Sequence, residues 1–383
     1  MIERKPLLLL FDGNALVHRA FHALPPLTVS KTGEMVGAVY GFARMLLKIF
    51  NELKPTHCAI AFDLPAPTFR HVQFEGYKAQ RPKTPNELVM QLQRVRQLVE
   101  ALNIPIFEVE GYEADDVLGT LCHQASDKGM EAIIATGDAD AMQLVSPTVR
   151  VLAPQRSLGE TTLYDEVAVC QKYGVSPQQI PDLKGLKGDP SDNIPGVPGV
   201  GEKTAVKLIQ QFGNIEETYT HIDEVTPPKL KETLRTNEDV ARQSKRLAVI
   251  VTDVPLSLNL ADCRVGTYEH NKVLDLFHEL EFFSLLKELP QAENTKGNDL
   301  ATGKLEVEVT PEGDYRTIDT DGALHEKAAE LSSATSLVIE LKTTGTGRGG
   351  SELVGIALSP APGKARYIPV EHTGWQSVTR LPL

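Results

Sequence analysis

The clearest pattern along the chain is a set of three short apolar runs, each of which leads into an aspartate. They are residues 7–11 before Asp12, residues 58–62 before Asp63 and residues 132–137 before Asp138. Helical periodicity separates them, for example over residues 40–53 and 88–102. Continuous apolar strands that alternate with helices are typical of a parallel sheet covered on both faces. The pattern therefore predicts an α/β fold with a mostly parallel central sheet covered by helices.

The three aspartates are expected to meet at one edge of this sheet. In open parallel sheets the ligand crevice lies beyond the carboxyl ends of the strands. Asp12, Asp63 and Asp138 each follow such an end. We therefore expect three carboxylates to converge on one crevice, although they lie far apart in the sequence.

The pattern changes along the rest of the chain. Residues 175–290 show helical patterns without clear strands, and residues 291–304 have the composition of a linker. Strand patterns return at residues 305–309, 336–341 and 353–358. The sequence predicts an α/β core over residues 1–174, a helical subdomain over 175–290, a linker over 291–304, and an incomplete α/β piece over 305–383.

Composition excludes several classes of protein. Of the 383 residues, 41% are hydrophobic and 23% are charged, which is typical of a globular chain and not of a disordered, collagen-like or coiled-coil one. The net charge of −12 means that any contact with nucleic acid must come from local basic patches.

The cysteines and the apolar runs indicate a cytoplasmic location. Cys58, Cys122, Cys170 and Cys263 fit no zinc-ligand spacing and are too few for a disulfide framework, so we expect four buried, reduced thiols. No stretch reaches the ~18 apolar residues of a membrane span. Residues 7–11 are also too short for the apolar region of a signal peptide.

An acidic group stands at a predicted helix start. Glu113, Asp115 and Asp116 open this helix, and acids in a first turn are commonly explained by the helix dipole. However, residues 108–140 hold nine acids against one lysine and include Asp138 and Asp140. Such a concentration is electrostatically unfavourable without cations, so we interpret it as part of a metal site.

Residues 188–193 supply a further acidic element, which on its own would be read as a turn because its residue types are turn formers. With it, the candidate ligands are Asp12, Asp63, Glu113, Asp115, Asp116, Asp138, Asp140, Asp189 and Asp192. All are hard oxygen donors, which favour Mg²⁺ or Mn²⁺ over zinc. They exceed what one cation needs, and two hard cations about 4 Å apart suit phosphodiester hydrolysis.

A basic segment at residues 69–83 lies directly after the Asp63 strand. Its cations are Arg70, Lys78, Arg81 and Lys83, and its aromatic residues are Phe69, Phe74 and Tyr77. Basic and aromatic residues together favour gripping phosphates and stacking bases. A solvated helix face is the simpler alternative.

A glycine-rich segment follows the acidic turn. Gly196, Gly199 and Gly201 precede Lys203, Thr204 and an apolar-periodic helix. Glycines allow backbone N–H groups to approach an anion at a helix N-terminus. The pattern fits a helix–hairpin–helix that grips the DNA backbone, with a plain turn between two helices as the alternative.

Taken together, these motifs resemble the flap endonuclease family, in the form of the N-terminal 5′-nuclease domain of bacterial DNA polymerase I. The resemblance spans about residues 5–290. It is carried by these segments in family order: Asp12-Gly13, Ala61-Phe62-Asp63, Thr68-Phe69-Arg70, residues 77–82, residues 113–116, Thr136-Gly137-Asp138 and residues 188–204. It implies an enzyme that removes 5′ flaps and RNA primers during replication and repair.

The resemblance also implies roles for individual residues. Glu113, Asp115, Asp116 and Asp138 would bind one metal ion, Asp140, Asp189 and Asp192 the second, and Asp12 and Asp63 would support both. Arg19, Lys78 and Arg81 would hold the scissile phosphate. The implied DNA-binding residues are Phe69, Arg70, Tyr77, Gly196, Gly199, Gly201, Lys203 and Thr204. Residues 69–96 would form an arch over the 5′ end, and the hairpin would hold duplex DNA with a K⁺ ion.

Residues 305–372 resemble the start of the 3′–5′ exonuclease-like domain of the same polymerases. The proofreading pattern Asp-x-Glu is replaced here by Glu340-Leu341-Lys342. A lysine at the second position would repel a metal ion, so we expect no proofreading. No polymerase segment is present in the sequence, so we expect no polymerisation from this chain.

Three other functions share parts of this pattern. A non-catalytic binder of DNA junctions would be expected to have lost some of the nine acids. A single-strand ribonuclease or a phosphatase of small substrates would need neither the glycine hairpin nor the basic segment. The expected partner is DNA with a 5′ flap, a nick or an RNA primer end, bound by a monomer, with no membrane partner.

Overall fold

The computed structural model describes residues 6–155 and 160–290, and after them residues 314–318, 322, 324–325, 331, 337–343, 353–361 and 364–370. The chain divides into two compact units, residues 1–297 and 298–383. The predicted linker, 291–304, and the predicted strand 305–309 lie outside the described residues.

The described strands and helices follow in chain order. The strands are β1 Leu7–Asp12, β2 His57–Ala61, β3 Ile106–Phe107, β4 Glu131–Ala135, β5 Val149–Pro154, β6 Thr161–Tyr164, β7 Asp314–Thr317, β8 Val338–Thr343, β9 Leu353–Ala361 and β10 Lys364–Pro369. The helices are α1 Gly13–Ala23, α2 Gly37–Leu53, α3 Phe69–Gln73, α4 Asn86–Ala101, α5 Ala114–Asp127, α6 Glu166–Tyr173, α7 Ile180–Lys187, α8 Glu202–Phe212, α9 Ile215–Thr220, α10 Pro228–Thr236, α11 Glu238–Ala248 and α12 His270–Glu279. Short 3₁₀ helices lie at Asp140–Leu144, Pro177–Gln179, Ile222–Glu224 and Phe283–Glu288.

A six-stranded sheet in the order β3-β2-β1-β4-β5-β6 organises the first unit. Strands β1 to β5 pair in parallel, and only the edge strand β6 runs antiparallel to its neighbour. The three apolar runs form β1, β2 and β4. The prediction of a mostly parallel central sheet is therefore confirmed.

Both faces of the central strand β1 are buried, which explains why residues 7–11 are apolar without interruption. Along β1, Leu8 and Leu10 belong to one core cluster, which also contains buried residues of α5, α7 and α8. Leu9 and Phe11 belong to the other cluster, together with residues of α1, α2 and α4. Alternate side chains point to opposite faces of a strand, so each position from Leu8 to Phe11 packs against one of the two clusters and requires an apolar residue.

Residues 175–290 are helical, as the periodicity predicts, and none of the named strands of the described chain falls within them. The glycine-rich segment joins α7 to α8 through a very close backbone contact. A Cβ on Gly196 would lie 2.1 Å from the backbone nitrogen of Gly188, and both glycines have positive φ angles, +62° and +78°. A side chain at either position would force this hairpin open.

The second unit contains a four-stranded sheet in the order β7-β10-β9-β8. β10 pairs in parallel with β7 and antiparallel with β9, and β8 also pairs antiparallel with β9. The strands predicted at residues 336–341 and 353–358 correspond to β8 and β9.

The cysteines differ in one respect from the prediction. All four are free, and Cys58, Cys122 and Cys263 are buried, but Cys170 is exposed. Cys170 lies on α6, a helix that buries only Val169, so its side chain faces solvent. Among the helices of the described residues, none combines the length and the apolar character that a membrane span requires.

Candidate active site

The ends of three adjacent parallel strands bring carboxylates together. Asp12 is the last residue of β1, and Asp63 and Asp138 follow β2 and β4 within three residues. All three line one pocket of about 440 Å³. Glu113 and Asp115, from the start of α5, line the same pocket. The expected convergence at one sheet edge is what the structure shows.

Local hydrogen bonds hold the first two aspartates in place. Asp12 caps α1 by accepting a hydrogen bond from the backbone N–H of Ala15 (2.9 Å), and the hydroxyl of Thr136 donates to its other oxygen (2.7 Å). Asp63 accepts from the backbone N–H of Ala114 at the start of α5 (2.8 Å). Burial raises the pKa of Asp12 to about 7 against the opposing effect of these hydrogen bonds.

Asp115 is the member of the group that most needs a further partner. Its Oδ1 atom is buried and has no hydrogen-bond partner in the described part of the chain. Burial raises the pKa of Asp115 well above its usual range, and the nearby carboxylates of Asp138 and Asp12 add to the shift. A buried carboxylate oxygen with neighbours of the same charge is a site that a cation would stabilise.

Two basic side chains close the pocket. Lys78 Nζ lies 2.8 Å from Glu113 Oε1, and an Arg81 Nη lies 2.6 Å from Asp192 Oδ1. Lys78 has a φ of 54°, in the left-handed region that is unfavourable for a residue with a side chain. Its backbone N–H donates to the carbonyl of Asp192 (2.9 Å), and Asn193 Nδ2 donates to the carbonyl of Gly76 (2.6 Å). The basic segment is thus fastened to the acidic turn.

A second pocket of about 400 Å³ adjoins the first one and shares Asp138 and Arg81 with it. Asp140 and Asp189 line this second pocket. Lys184 of α7 bridges these two carboxylates, lying 2.5 Å from Asp189 Oδ2 and also in contact with Asp140. Burial would raise the pKa of Asp189, but Lys184 and the hydrogen bonds from Ser191 together outweigh it and lower that pKa.

The donor set suits a hard divalent ion, although the carboxylates do not surround a single point in this conformation. No group of three or more His, Cys, Asp or Glu side chains among the described residues is already arranged to hold a metal ion. Lys78 lies between the carboxylates of Glu113 and Asp192, and Lys184 lies between those of Asp140 and Asp189. The orphaned oxygen of Asp115 nevertheless fits a cation of this class.

Two of the predicted site residues, Asp116 and Arg70, pair with each other away from both pockets. Both are buried, with 0% and 2% exposure, and Arg70 donates to both oxygens of Asp116 at 2.7 Å. Asp116 also accepts the backbone N–H groups of Glu113 (3.1 Å) and Val251 (3.0 Å). Its carboxylate therefore closes the capping box of α5 and pairs with Arg70, and it does not line the first pocket. The Arg70 side chain is enclosed in this conformation.

Tyr77 and Gly196 are also predicted DNA contacts that the structure buries. Tyr77 is 3% exposed, and its hydroxyl donates to Glu113 and Asp192, both at 3.0 Å. Gly196 packs against Gly188, and its N–H donates to the Ser244 hydroxyl (3.0 Å). Because both residues are buried, neither is exposed to a DNA strand in this conformation.

The remaining predicted residues occupy varied positions. Arg19 and Phe69 are partly buried and line neither pocket. Asp192 is 6% exposed and is held by Arg81 and Tyr77 beside the first pocket without lining it. The other candidates lie at the start of α8, where Gly199, Gly201 and Lys203 are exposed and Thr204 is partly exposed.

Two further residues, Thr136 and Lys184, contact the predicted acids although the sequence analysis assigned them no role. Thr136 orients Asp12 and accepts the backbone N–H of Asp138 (2.9 Å). Lys184 is 8% exposed. Lys184 lies four residues after the buried Ile180, on the apolar face of α7. A lysine at an apolar position of a helix indicates a buried charge that needs an acidic partner, and this pattern could have identified it.

Two family models match adjacent segments of the first unit. Residues 7–174 match the family model "5'-3' exonuclease, N-terminal resolvase-like domain", and residues 175–271 match "5'-3' exonuclease, C-terminal SAM fold". DNA polymerase I of Chloroflexus aurantiacus is 42% identical over 98% of this chain, and that of Bacillus caldotenax is 48% identical over 76%. The chain spans 42% and 33% of the lengths of these relatives.

Solved structures share the fold. The T5 5′-exonuclease with bound zinc covers 74% of this chain and 96% of its own, with 19% identity and a TM-score of 0.55. The T5 flap endonuclease in complex with DNA and metal ions covers 72% of this chain and 99% of its own, with 18% identity and a TM-score of 0.55.

The order of the strands, the acidic pocket at their ends and the helical segment with its glycine hairpin agree with these matches. The two family models cover adjacent segments and together extend over most of the chain. This chain therefore belongs to the 5′–3′ exonuclease family, and it is similar to part of bacterial DNA polymerase I.

Proposed function

We propose that this chain is a structure-specific nuclease that hydrolyses phosphodiester bonds at 5′ ends and 5′ flaps with two Mg²⁺ or Mn²⁺ ions. The observation that carries the proposal is the buried, unpartnered oxygen of Asp115, in an acidic pocket that Lys78 and Arg81 also line. Carboxylates alone would repel a phosphodiester, whereas carboxylates neutralised by divalent ions and flanked by cations would attract it.

The two pockets suggest which residues would hold each ion. Asp12, Asp63, Glu113, Asp115 and Asp138 line the first pocket, and Asp138, Asp140 and Asp189 line the second. Asp138 is common to both pockets and is the natural bridge between two ions. Divalent ions at these positions would supply the Lewis acidity that activates a water molecule and stabilises the leaving oxygen.

The chain's own cations would hold the substrate. Burial would lower the pKa of Lys78, but the carboxylates of Glu113 and Asp192 together outweigh it and raise that pKa, so the ammonium stays charged in the pocket. A scissile phosphate that entered the pocket would meet Lys78 and Arg81, whose side chains are 19% and 48% exposed. Both can leave their present carboxylate partners once divalent ions neutralise those carboxylates. Arg19 remains a candidate for a phosphate contact further along α1.

The hairpin before α8 would grip the duplex away from the cut. A Cβ added at Gly199 or Gly201 would meet no atom within 4 Å, so the space in front of these backbone groups is open. Lys203 and Thr204 follow at the start of α8, where backbone N–H groups attract a phosphate. A K⁺ ion on the hairpin carbonyls is part of this proposal.

The biological role follows from the substrate. A nuclease of this kind would act as a monomer on flaps, nicks and RNA primer ends in primer removal and DNA repair in the cytoplasm. In this scheme residues 1–174 form the catalytic core, with the arch near residues 69–96. Residues 175–290 form the DNA-gripping subdomain, and residues 305–383 form an incomplete 3′–5′ exonuclease-like domain.

A duplex with a labelled 5′ flap tests the proposal directly. With Mg²⁺ we expect cleavage near the junction, and with EDTA we expect binding without cleavage. Binding without cleavage in the presence of Mg²⁺ would instead indicate a junction-binding protein. Hydrolysis of single-stranded RNA alone, or of small phosphate esters alone, would indicate one of the other two enzyme classes.

Lys78→Met is expected to lower the cleavage rate by about 10²–10³-fold, because one positioned cation is lost at the phosphate. The fold should persist, since Tyr77 and the backbone of residue 78 still fasten the segment to the acidic turn. Single-turnover cleavage measures the effect, and Lys272→Met, at an exposed pair with Glu269, is the matched control. Equal cleavage rates for Lys78→Met and the wild type would show that Lys78 does not contribute to cleavage.

A further inference from the structure

The second pocket already contains a cation that belongs to the protein. Lys184 is 8% exposed, and its ammonium contacts the carboxylates of Asp140 and Asp189. Asp189 is held on its other side, because both the backbone N–H and the hydroxyl of Ser191 donate to its Oδ1 atom (2.9 and 2.6 Å). The ammonium of Lys184 thus occupies the position between the two acids that a second divalent ion would need.

We propose that Lys184 is a built-in counter-ion of the second cation site, which a divalent ion must displace in order to bind. This inference rests on the proposed two-ion function and names a residue that controls it. While the second ion is absent, the single charge of Lys184 compensates part of the negative charge of Asp140 and Asp189 and keeps the two carboxylates close together. When the ion arrives, the ammonium is forced out, so the second ion binds more weakly than the first.

The physical reason is competition between charges in a partly buried site. A fixed positive charge within a few ångströms of a divalent ion opposes its binding, and the opposition is stronger than in water because the surroundings are less polar. In the first pocket Lys78 pairs with Glu113, but the Asp115 oxygen has no hydrogen-bond partner among the described residues, so an ion can bind that oxygen without displacing an ammonium from it. The two sites should therefore fill in order, with the Asp115 site occupied first.

Binding of Mn²⁺ to the free protein, followed by electron paramagnetic resonance, tests this order without any cleavage assay. We expect the wild type to bind one ion tightly and a second one weakly. Lys184→Met should strengthen the second binding step by about tenfold or more. Lys187→Met is the matched control, because Lys187 lines the same pocket but pairs with Glu202 (2.9 Å), and its second step should be unchanged. Lys184→Arg keeps the charge and should also stay close to the wild type.

The outcomes separate this inference from the function on which it rests. An unchanged or weaker second step in Lys184→Met would overturn the role of Lys184 while leaving two-ion binding intact. If neither the wild type nor Lys184→Met binds more than one ion, the two-ion proposal itself fails. If only Lys184→Met binds a second ion, the inference is supported in its strongest form.

A measurement on the unaltered protein covers the case in which Lys184→Met does not fold. Chemical acetylation followed by mass spectrometry reports how accessible each lysine amine is. We expect acetylation of Lys184 to increase several-fold as Mg²⁺ is added, whereas that of Lys187 stays constant. If Lys184 is equally protected with and without saturating Mg²⁺, the ammonium is not displaced and the inference is wrong.

Discussion

Asp115→Asn is expected to lower the rate of flap cleavage by about 10³-fold, which corresponds to a loss of about 4 kcal/mol of transition-state stabilisation. Asp115 supplies the one buried carboxylate oxygen of the pocket that lacks a hydrogen-bond partner among the described residues. An amide keeps the shape of the side chain but removes the charge that would hold a divalent ion. The effect should appear in single-turnover cleavage at saturating Mg²⁺.

Binding of the DNA should survive this substitution, because contacts with the phosphate backbone supply most of the affinity. Asp127→Asn is the matched control. It makes the same chemical change on the same helix, but the Asp127 side chain is 69% exposed and lies outside the pocket. A cleavage rate for Asp115→Asn that equals the rate of this control would exclude Asp115 as a metal ligand.

Arg70→Met is expected to destabilise the protein by about 3–5 kcal/mol, because it removes one partner of a buried ion pair and leaves the other charged. Asp116 is fully buried and would lose two hydrogen bonds of 2.7 Å. Arg70 also donates to the carbonyls of Leu247 and Val249 (2.9 and 2.7 Å). These bonds connect the start of the basic segment to the last turn of α11 and to the residue that follows this helix, so Arg70→Met would loosen both regions.

Urea denaturation measures this loss of stability. The control is Arg235→Met, which breaks an exposed pair with Asp223 and should change the free energy of unfolding by about 0–1 kcal/mol. The double variant Arg70→Met/Asp116→Asn should recover part of the loss, because no unpaired charge then remains buried. A loss no larger than that of Arg235→Met would show that Arg70 acts at the surface, as the sequence alone suggested.

The two predictions separate residues that the sequence could not distinguish. Asp115 and Asp116 are neighbours in one motif at the start of α5, and both were predicted to bind metal. One turns its carboxylate into the pocket, while the other turns back to cap the helix and to pair with Arg70. Substituting the first is expected to abolish chemistry, and breaking the ion pair of the second is expected to affect folding.

Much of the architecture was available from the sequence. Uninterrupted apolar runs at residues 7–11, 58–62 and 132–137 predicted parallel strands, because only a strand buried on both faces needs an apolar residue at every position. Parallel strands point their carboxyl ends to one edge, so the convergence of Asp12, Asp63 and Asp138 followed from the same pattern. The nuclease family was identifiable from motifs that are individually weak but occur in family order.

Only the tertiary structure decided which charges face the pocket and which are used to hold the protein together. Arg70, Tyr77 and Asp116 have the composition of a DNA-binding and metal-binding surface, yet all three are buried, and Lys184, which no motif singled out, lies between two predicted ligands. The reason is that the partner of a charged side chain comes from distant parts of the chain. Arg70 meets Asp116, and Lys184 meets Asp140, only after the sheet and the helical segment have packed. Local patterns determine strands, helices and their edges, whereas the pairing of buried charges is a property of the folded whole.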